Sequence, residues 1–451
     1  MGIVPSSSST SVSAKSFAAE GLVLAIALLL GAGMWLYVQR VMLPAEREHY
    51  ASIGQPMDIG DLYPRWRGAR ELLVHRRDPY GAEVSREIQV AYYGHALDTA
   101  GADRGRDEQR FAYPVYVVFF LAPTVEMSFE QMQAMMRWVL ALLMVASVLL
   151  WVRALRWRPP VVVTLTILIF ELSSPTMVQA LRLQQLAVLV AFFLTSCAVL
   201  ISRGKLFWAG CFLACATIKP QLAVLPVIWM LIWVVGHWHK RQRLAWGFGG
   251  TLALLMGVGQ YILPGWFGEF LQGLVEYRHY AGMSSLLDTY LTPAMARPVG
   301  AIALIALLVW CWSWRRDSAE EEAFFLRWAL VSAVAILVLP PLLPPFNQVL
   351  LLPGVLILIR KWNSLWNSHG AVRAVFRLAA GAALLPWVGA SIFGALSLLA
   401  PAAQLRRVWN VPLMAGLLLP PVVVALLIFV LRASPASLPR GRLDLRVPEL
   451  G

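Results

Sequence analysis

Long apolar stretches, separated by short polar segments, recur along almost the whole chain of 451 residues. A helix needs about 20 apolar residues to cross the hydrocarbon core of a bilayer, and repeated stretches near this length are typical of polytopic membrane proteins. The stretches that we identify are Phe17–Tyr37, Met132–Val152, Val161–Ala180, Leu186–Ile201, Leu206–Ile218, Leu222–Val235, Leu244–Leu263, Val299–Trp314, Phe324–Leu343, Val349–Ile359, Val375–Leu399 and Val411–Leu431. The pattern predicts an all-α polytopic membrane protein with about 12 transmembrane helices.

Composition excludes the other broad classes of protein. Hydrophobic residues make up 59% of the chain and charged residues only 14%, whereas soluble domains average about 45–50% and about 25%. Disordered chains are poor in apolar and aromatic residues, so disorder is excluded for the chain as a whole. The four cysteines lie in apolar stretches without His or carboxylate companions, and this favours buried core residues over metal ligands.

The distribution of basic residues predicts the orientation in the membrane. The net charge is +13, but Arg and Lys collect in the cytoplasmic loops of membrane proteins, so no nucleic-acid partner is expected. Placing most basic loops inside makes 1–16 a disordered cytoplasmic N-terminus, 17–432 the transmembrane domain and 433–451 a cytoplasmic tail. It leaves 40–110, with two short amphipathic helices, as a long first extracytoplasmic loop, and 264–298 as the second large outer loop.

One further apolar stretch, Phe111–Met127, is short and contains two prolines. If it crossed the membrane, most basic loops would move outside, so we expect it not to cross and to be shielded by protein. The same argument divides the apolar run 206–235 at Lys219. Pro220 supports this break, because proline lacks a backbone donor and disfavours helix at the residue before it.

Polar residues near the ends of the apolar stretches gather on the predicted outer side. They are carboxylates, bases and amides: Asp58, Asp61, Arg182, Gln184, Gln185, Lys219 and Asn347. Charged groups close to hydrocarbon are costly and are functional by default, and cationic side chains there suit a phosphate group. Each residue also has an ordinary structural interpretation: helix capping for the aspartates, snorkelling for the bases and interhelical hydrogen bonding for the amides.

Three classes of function fit such a chain: an enzyme, a transporter or flippase, and a scaffold without catalysis. Motifs for a phosphate-binding loop, a zinc-protease helix and a serine-hydrolase elbow are absent from the sequence. A polytopic lipid or solute transporter or flippase would need polar groups near the bilayer midplane, where the predicted spans carry little charge apart from Glu171. A membrane scaffold without catalysis gives no reason for Asp61, Arg182 and Lys219 to gather on one side.

Five segments carry short motifs: DLYPRWRGARELLVHRRDPY, FAYPVYVVFFLAP, RLQQLAVLV, FWAGCFLACATIKPQLAVLP and PPFNQVLLLPGVL. In this order they resemble the elements D…Y/W..A..LL.G.DPY, F.YPP…P, GQ.N, AG.L…IKP.P and P……LLLP of the polyprenol-phosphate-mannose-dependent α-mannosyltransferases, a family of the GT-C glycosyltransferase superfamily. The chain departs from these elements at Arg77, Val115 and Leu183. The resemblance extends from Asp61 to Leu356, which is most of the chain.

The resemblance implies a GT-C-type glycosyltransferase fold whose long first extracytoplasmic loop holds a catalytic aspartate. It implies an integral enzyme of the cell (inner) membrane that moves a hexose, mannose-like, from a polyprenyl-phosphate sugar donor to a lipid or glycan acceptor at the extracytoplasmic face. Such a transfer requires no cofactor, because the lipid phosphate is already a good leaving group, and it is compatible with a divalent metal.

This reaction predicts roles for the candidate residues. Asp61 is expected to deprotonate the acceptor hydroxyl, with Asp58 as the second candidate. Lys219 and Arg182 are expected to hold the donor phosphate. The remaining candidates for donor or sugar binding are Gln184, Gln185, Tyr113, Trp66 and Asn347. No metal ligand is predicted.

Overall fold

The computed structural model describes residues 8–52, 59–280, 284–319, 322–339, 344–399, 405 and 407–433, and every regular element in these ranges is helical. The first half contains α1 Ser8–Tyr37, α2 Leu43–Ser52, α3 Tyr63–Leu73, α4 Ala82–Tyr93, α5 Val117–Leu121, α6 Phe129–Ala154, α7 Val161–Leu172, α8 Pro175–Arg182, α9 Ala187–Ser202 and α10 Leu206–Cys215. The second half contains α11 Pro220–Gly236, α12 Trp238–Ile262, α13 Trp266–Tyr280, α14 Leu287–Tyr290, α15 Pro293–Ser313, α16 Glu322–Val338, α17 Leu352–Arg360, α18 Trp362–Trp366, α19 Gly370–Leu399, α20 Val411–Met414 and α21 Leu419–Ala433.

Several of these helices are long and apolar enough to cross a membrane. Among the described residues five qualify by length and composition, or up to seven if each of two bent helix pairs is one span. The bent pairs are α7 with α8, at 53°, and α12 with α13, at 97°. Large apolar side chains on the candidate spans are exposed, for example Trp138 and Leu378, each by 74%. The prediction of a polytopic all-helical membrane protein is therefore confirmed, whereas the number of twelve spans stays a prediction.

The first helix is longer than the sequence suggested. It begins at Ser8, inside the stretch 1–16 that we expected to be disordered, and continues through the π-helical turn Val38–Met42 into α2, which ends at Ser52. In the π turn the Leu43 N–H bonds to the Val38 carbonyl. This hydrogen bond joins residues five positions apart, as in a π-helix, and it directly precedes Pro44, which has no N–H to donate. The helix therefore continues past residue 40, where we expected the loop to begin.

The helices α3 and α4 lie within 40–110, the range that we predict to be the first extracytoplasmic loop. An ionic cluster ties α3 to α4: Arg77 on the connection donates to Glu71 of α3 at 2.9 Å and to Glu87 of α4 at 2.6 Å. Glu71 is fully buried, and Arg67 lies 2.9 Å from it. A buried carboxylate needs such partners because an unpaired one is strongly destabilising. The cluster fixes the helix that carries the residues of the site.

The segment Phe111–Met127 does not form one long helix, and that it does not cross the bilayer stays a prediction. Its helix α5 has five residues and continues into a short 3₁₀ turn, Ala122–Thr124. At 1.5 Å per residue such a piece is far too short to span a bilayer. Phe111 and Val117 are buried, so the protein shields the segment on its own.

Close packing between α10 and α12 depends on two glycines. A Cβ added at Gly210 would overlap the Leu244 carbonyl oxygen, and one added at Gly247 would overlap the Phe207 carbonyl oxygen. The two backbones therefore touch directly, as small residues permit in membrane helix pairs.

We expect Gly247→Leu to lower the free energy of unfolding by about 1–3 kcal/mol, because the added side chain must separate the two helices. Thermal unfolding of the purified protein in detergent measures the loss. Gly250→Leu is the matched control, because a Cβ at Gly250 meets no atom within 4 Å. Equal stability of the two variants would show that the helix pair tolerates separation.

Candidate active site

A cavity of about 310 Å³ lies where three interrupted helices meet. Gln185 follows the end of α8, Lys219 separates α10 from α11, and Asn347 lies in the 3₁₀ segment that precedes α17. Asp61, from the turn before α3, completes the wall. We call this space the lysine cavity. Its other walls include Arg65, Tyr113, Gln221, Phe270, Tyr277 and Phe346.

The amide of Gln185 joins the acid and the base of the cavity. Its Nε2 donates to Asp61 Oδ2, and its Oε1 accepts from Lys219 Nζ at 3.2 Å. Lys219 Nζ also donates to Asn347 Oδ1 at 3.1 Å. The ammonium has three protons, so one is left to face the cavity. The second carboxylate oxygen of Asp61 has no hydrogen-bond donor among the described residues.

Lys219 is a buried cation in the break between two apolar helices. Only 5% of its surface is exposed, and the Phe346 ring lies 4.8 Å from its nitrogen. Burial lowers the pKa of the Lys219 ammonium to about 7; the Arg65 cation adds to the decrease, and Asp61 opposes it. An anion bound next to Lys219 would favour the charged form and raise this pKa again.

Asp61 and Arg65 are held together by the first turn of α3. Arg65 Nη1 donates to the Asp61 carbonyl at 2.6 Å, and its guanidinium lies 4.7 Å from the centre of the Tyr113 ring. Tyr80 Oη donates to the Tyr113 carbonyl at 2.6 Å and fixes that residue in the wall. The lysine cavity thus contains two cations and one carboxylate, an arrangement suited to an anionic ligand.

A second, larger cavity also borders Asp61. Its volume is about 710 Å³, and its walls come mainly from α1, α2, α6 and α8. We call it the arginine cavity, after Arg47, Arg137 and Arg182 in its walls. The exposed Trp138, on the candidate span α6, belongs to the same wall. Asp61 borders both cavities, and this makes it the residue that they share.

The structure brings together five of the predicted site residues and separates the others. Those that line the lysine cavity are Asp61, Tyr113, Gln185, Lys219 and Asn347. Arg182 lies instead in the arginine cavity, where its Nη1 donates to the buried Glu46 at 2.6 Å. A shared phosphate would require Lys219 and Arg182 to face the same space, and in this structure they do not. Asp58 lies outside the described residues.

Gln184 and Trp66 are buried and bond to backbone carbonyls, so their roles are structural. Gln184 is fully buried in a left-handed turn with φ of 48°, and its Nε2 donates to the Leu181 carbonyl at 2.9 Å. Trp66 is 3% exposed, and its Nε1 donates to the Thr124 carbonyl at 3.0 Å. Neither is among the described residues that line the two cavities. The sequence shows their polarity and ring size but not the direction in which the chain turns them.

Two residues of the site were missed as binding residues. Arg65 follows Asp61 by four positions, so one helical turn brings the two to the same face, and this spacing could have identified it. Phe346 is adjacent to Asn347 and lies under the Lys219 ammonium; an aromatic residue in an apolar stretch gave no such signal. Within the described residues no group of three or more His, Cys, Asp or Glu could hold a metal ion, and the absence of a cofactor stays a prediction.

Trp66→Phe tests the structural placement of Trp66. Loss of the bond to Thr124 leaves a buried carbonyl unpaired, which costs about 1–3 kcal/mol. We expect a lower Tm, measured by thermal unfolding in detergent, with the activity of the folded protein retained. Loss of activity at an unchanged Tm would show that Trp66 binds substrate, as the sequence predicted.

Comparison with known proteins identifies the class of the protein. The profile of glycosyltransferase family 87 matches residues 111–340, just over half of the chain. No curated protein and no solved structure matches the chain. The match includes Tyr113, Gln185 and Lys219 and confirms the predicted class of membrane glycosyltransferase, while specificity for mannose stays a prediction. The chain belongs to glycosyltransferase family 87.

Proposed function

We propose that the protein transfers a mannose-like hexose from a polyprenyl-phosphate donor to a lipid or glycan acceptor, at the extracytoplasmic face of the cell's inner membrane. Membership of a glycosyltransferase family favours this function over a transporter or flippase. The observation that carries the proposal is the position of Asp61, which borders both the lysine cavity and the arginine cavity. A carboxylate between two cavities can act on two substrates that enter separately.

The lysine cavity suits the donor phosphate. A polyprenyl-phosphate sugar is a phosphodiester with one negative charge, and Lys219 and Arg65 offer two positive charges beside it. When the bond between the anomeric carbon and the phosphate oxygen breaks, the electron pair passes to the phosphate, which becomes a dianion. Because the charge grows on the leaving group, cations fixed in this position stabilise the transition state more than the ground state.

The acceptor hydroxyl would reach Asp61 from the arginine cavity. Its oxygen forms the new bond to the anomeric carbon while its proton passes to the free oxygen of the Asp61 carboxylate. This single displacement inverts the configuration at the anomeric carbon. Gln185 holds the other carboxylate oxygen and leaves this one in place for the proton.

The distribution of basic residues supports the proposed orientation. If the Asp61 end of the bundle faces outward, the helix ends that contain Arg153 and Arg243 and the turn that contains Arg203 face the cytoplasm, in accordance with the positive-inside rule. A lipid-linked acceptor agrees with the arginine cavity, which the candidate membrane spans α1 and α6 border, because its lipid chain stays in the hydrocarbon while its glycan reaches the site.

Asp61→Asn keeps the size of the side chain but removes the base. We expect turnover to fall by about 10²–10⁴-fold, the usual loss for a general base, while donor affinity stays within a few fold. Transfer from a radiolabelled short-chain polyprenyl phosphomannose to membrane glycolipids measures turnover, and fluorescence quenching measures donor binding. Asp58→Asn is the matched comparison. If Asp61→Asn retained turnover and Asp58→Asn lost it, Asp58 and not Asp61 would be the general base.

The pH dependence of donor binding tests Lys219. Its ammonium is charged below the pKa of about 7 and neutral above it, and a bound phosphate raises this pKa. Donor affinity should therefore be constant in weakly acidic buffer and weaken by about tenfold per pH unit as the pH rises above 7. In Lys219→Arg the charge persists, so the profile should be flat over this range.

Lys219→Ala should lose about ten- to hundred-fold in donor affinity at pH 6, because a charged hydrogen bond is worth about 1.5–3 kcal/mol. Lys205→Ala is the control, since Lys205 is exposed beyond the other end of α9. Undiminished donor binding by a folded Lys219→Ala protein would contradict the assignment and leave snorkelling as the role of this lysine.

A further inference from the structure

A third cavity, of about 430 Å³, lies within the predicted outer loops. Its walls come from α4, from the segments around Asp78 and Glu108, and from one face of α13. We call it the glutamate cavity. Ala112 borders both this cavity and the lysine cavity, so the two are neighbours, but Asp61 and Lys219 are not among its described walls. The proposed transfer makes no use of it.

Two residues in these walls carry a polar atom that has no hydrogen-bond partner among the described residues. Ser85 is only 5% exposed, and its buried Oγ makes no hydrogen bond. Glu269, on α13, has a buried Oε2 that accepts none. An unpaired buried hydroxyl or carboxylate oxygen costs stability. Both oxygens lie beneath the surface of the wall, so the groups that a ligand in the cavity meets directly are accessible ones such as Asp78, Arg86 and Gln272.

The charges of the cavity define the class of this ligand. Carboxylates outnumber cations, and the carboxylates of Asp78 and Glu269 oppose a phosphate or another anion. Arg86 and Arg110 line the same walls and oppose a polycation. Mixed acceptors and donors, with the amide of Gln272 and the ring of Tyr80, suit a neutral molecule rich in hydroxyl groups.

We propose that the glutamate cavity is a saccharide-binding site for a neutral oligosaccharide, separate from the site of transfer. Carboxylate and amide oxygens accept hydrogen bonds from its hydroxyl groups, and the arginines donate to its ring and hydroxyl oxygens. The glycan of a lipid-linked acceptor and a free glycan share this chemistry.

Gly273 allows the cavity to be filled selectively. It lines the cavity, and a Cβ added there meets no atom within 4 Å. Gly273→Phe should therefore occupy the space without disturbing α13. Gly268→Phe is the matched control, because Gly268 lies on the same helix, is equally open and is not among the described walls of the cavity.

The experiment measures binding of free mannotriose to the full-length protein in nanodiscs by saturation-transfer NMR. We expect Gly273→Phe to weaken binding at least about tenfold and Gly268→Phe to leave it unchanged. Gln272→Ala should weaken binding by about three- to tenfold and leave Tm nearly unchanged, because Gln272 is exposed and its amide bonds to Glu276 on the same helix. A saturating short-chain polyprenyl phosphate should not displace the trisaccharide.

Equal trisaccharide binding by Gly273→Phe and wild type would overturn the proposal, as would its displacement by the polyprenyl phosphate. If the protein bound spermidine and not the trisaccharide, and Gly273→Phe blocked this binding, the ligand of the cavity would be basic and the assignment as a saccharide site would be wrong. The two sources of glycan separate in the transfer assay: if the glycan belongs to the acceptor, Gly273→Phe raises the acceptor KM for long glycans only. These binding measurements need no turnover, so they stand or fall separately from the proposed function.

Discussion

The amide of Gln185 keeps apart two groups that would otherwise neutralise each other. A direct pair between Asp61 and Lys219 would use the carboxylate oxygens and the ammonium protons on one another. The amide instead gives its N–H to the acid and its carbonyl to the base, and only this orientation satisfies both. The separation leaves one oxygen and one proton free on opposite sides of a single side chain. Every chemical role that we propose for the lysine cavity depends on this spacing.

Interrupted helices put the polar groups of the lysine cavity in place. Gln185, Lys219 and Asn347 each lie at a break between helical segments, not inside a regular helix. Backbone freed from helical bonding is tolerated in a membrane bundle only where protein or a cavity surrounds it. Lys219 has φ of −126° and ψ of 81°, and Pro220 begins the next helix. The same breaks that interrupt the apolar helices therefore provide the walls of the site.

Local signals in the sequence were sufficient for much of this arrangement. The apolar stretches predicted the helices, and Pro220 predicted the break that presents Lys219. The partner of Arg182 could not be predicted, because Glu46 is 136 positions away and reaches it only through the packing of α2 against the site. Gln184 and Gln185 are adjacent and chemically identical, yet the left-handed turn at Gln184 buries one amide and directs the other to Asp61. Sequence identifies the polar groups, while the turns between helices determine which of them meet.

The arginine cavity is bordered by Trp35 of α1 and by the exposed Trp138 of α6, two helices that qualify as membrane spans. An amphiphile that enters between them never leaves the bilayer, so its encounter with the protein is diffusion in two dimensions. For such a substrate the relevant concentration is its mole fraction among the surrounding lipids, and molarity in the bulk solution has no bearing on saturation. Dilution of the bilayer with inert lipid then acts on the enzyme as dilution of its substrate, even when the total amounts in the vessel are unchanged.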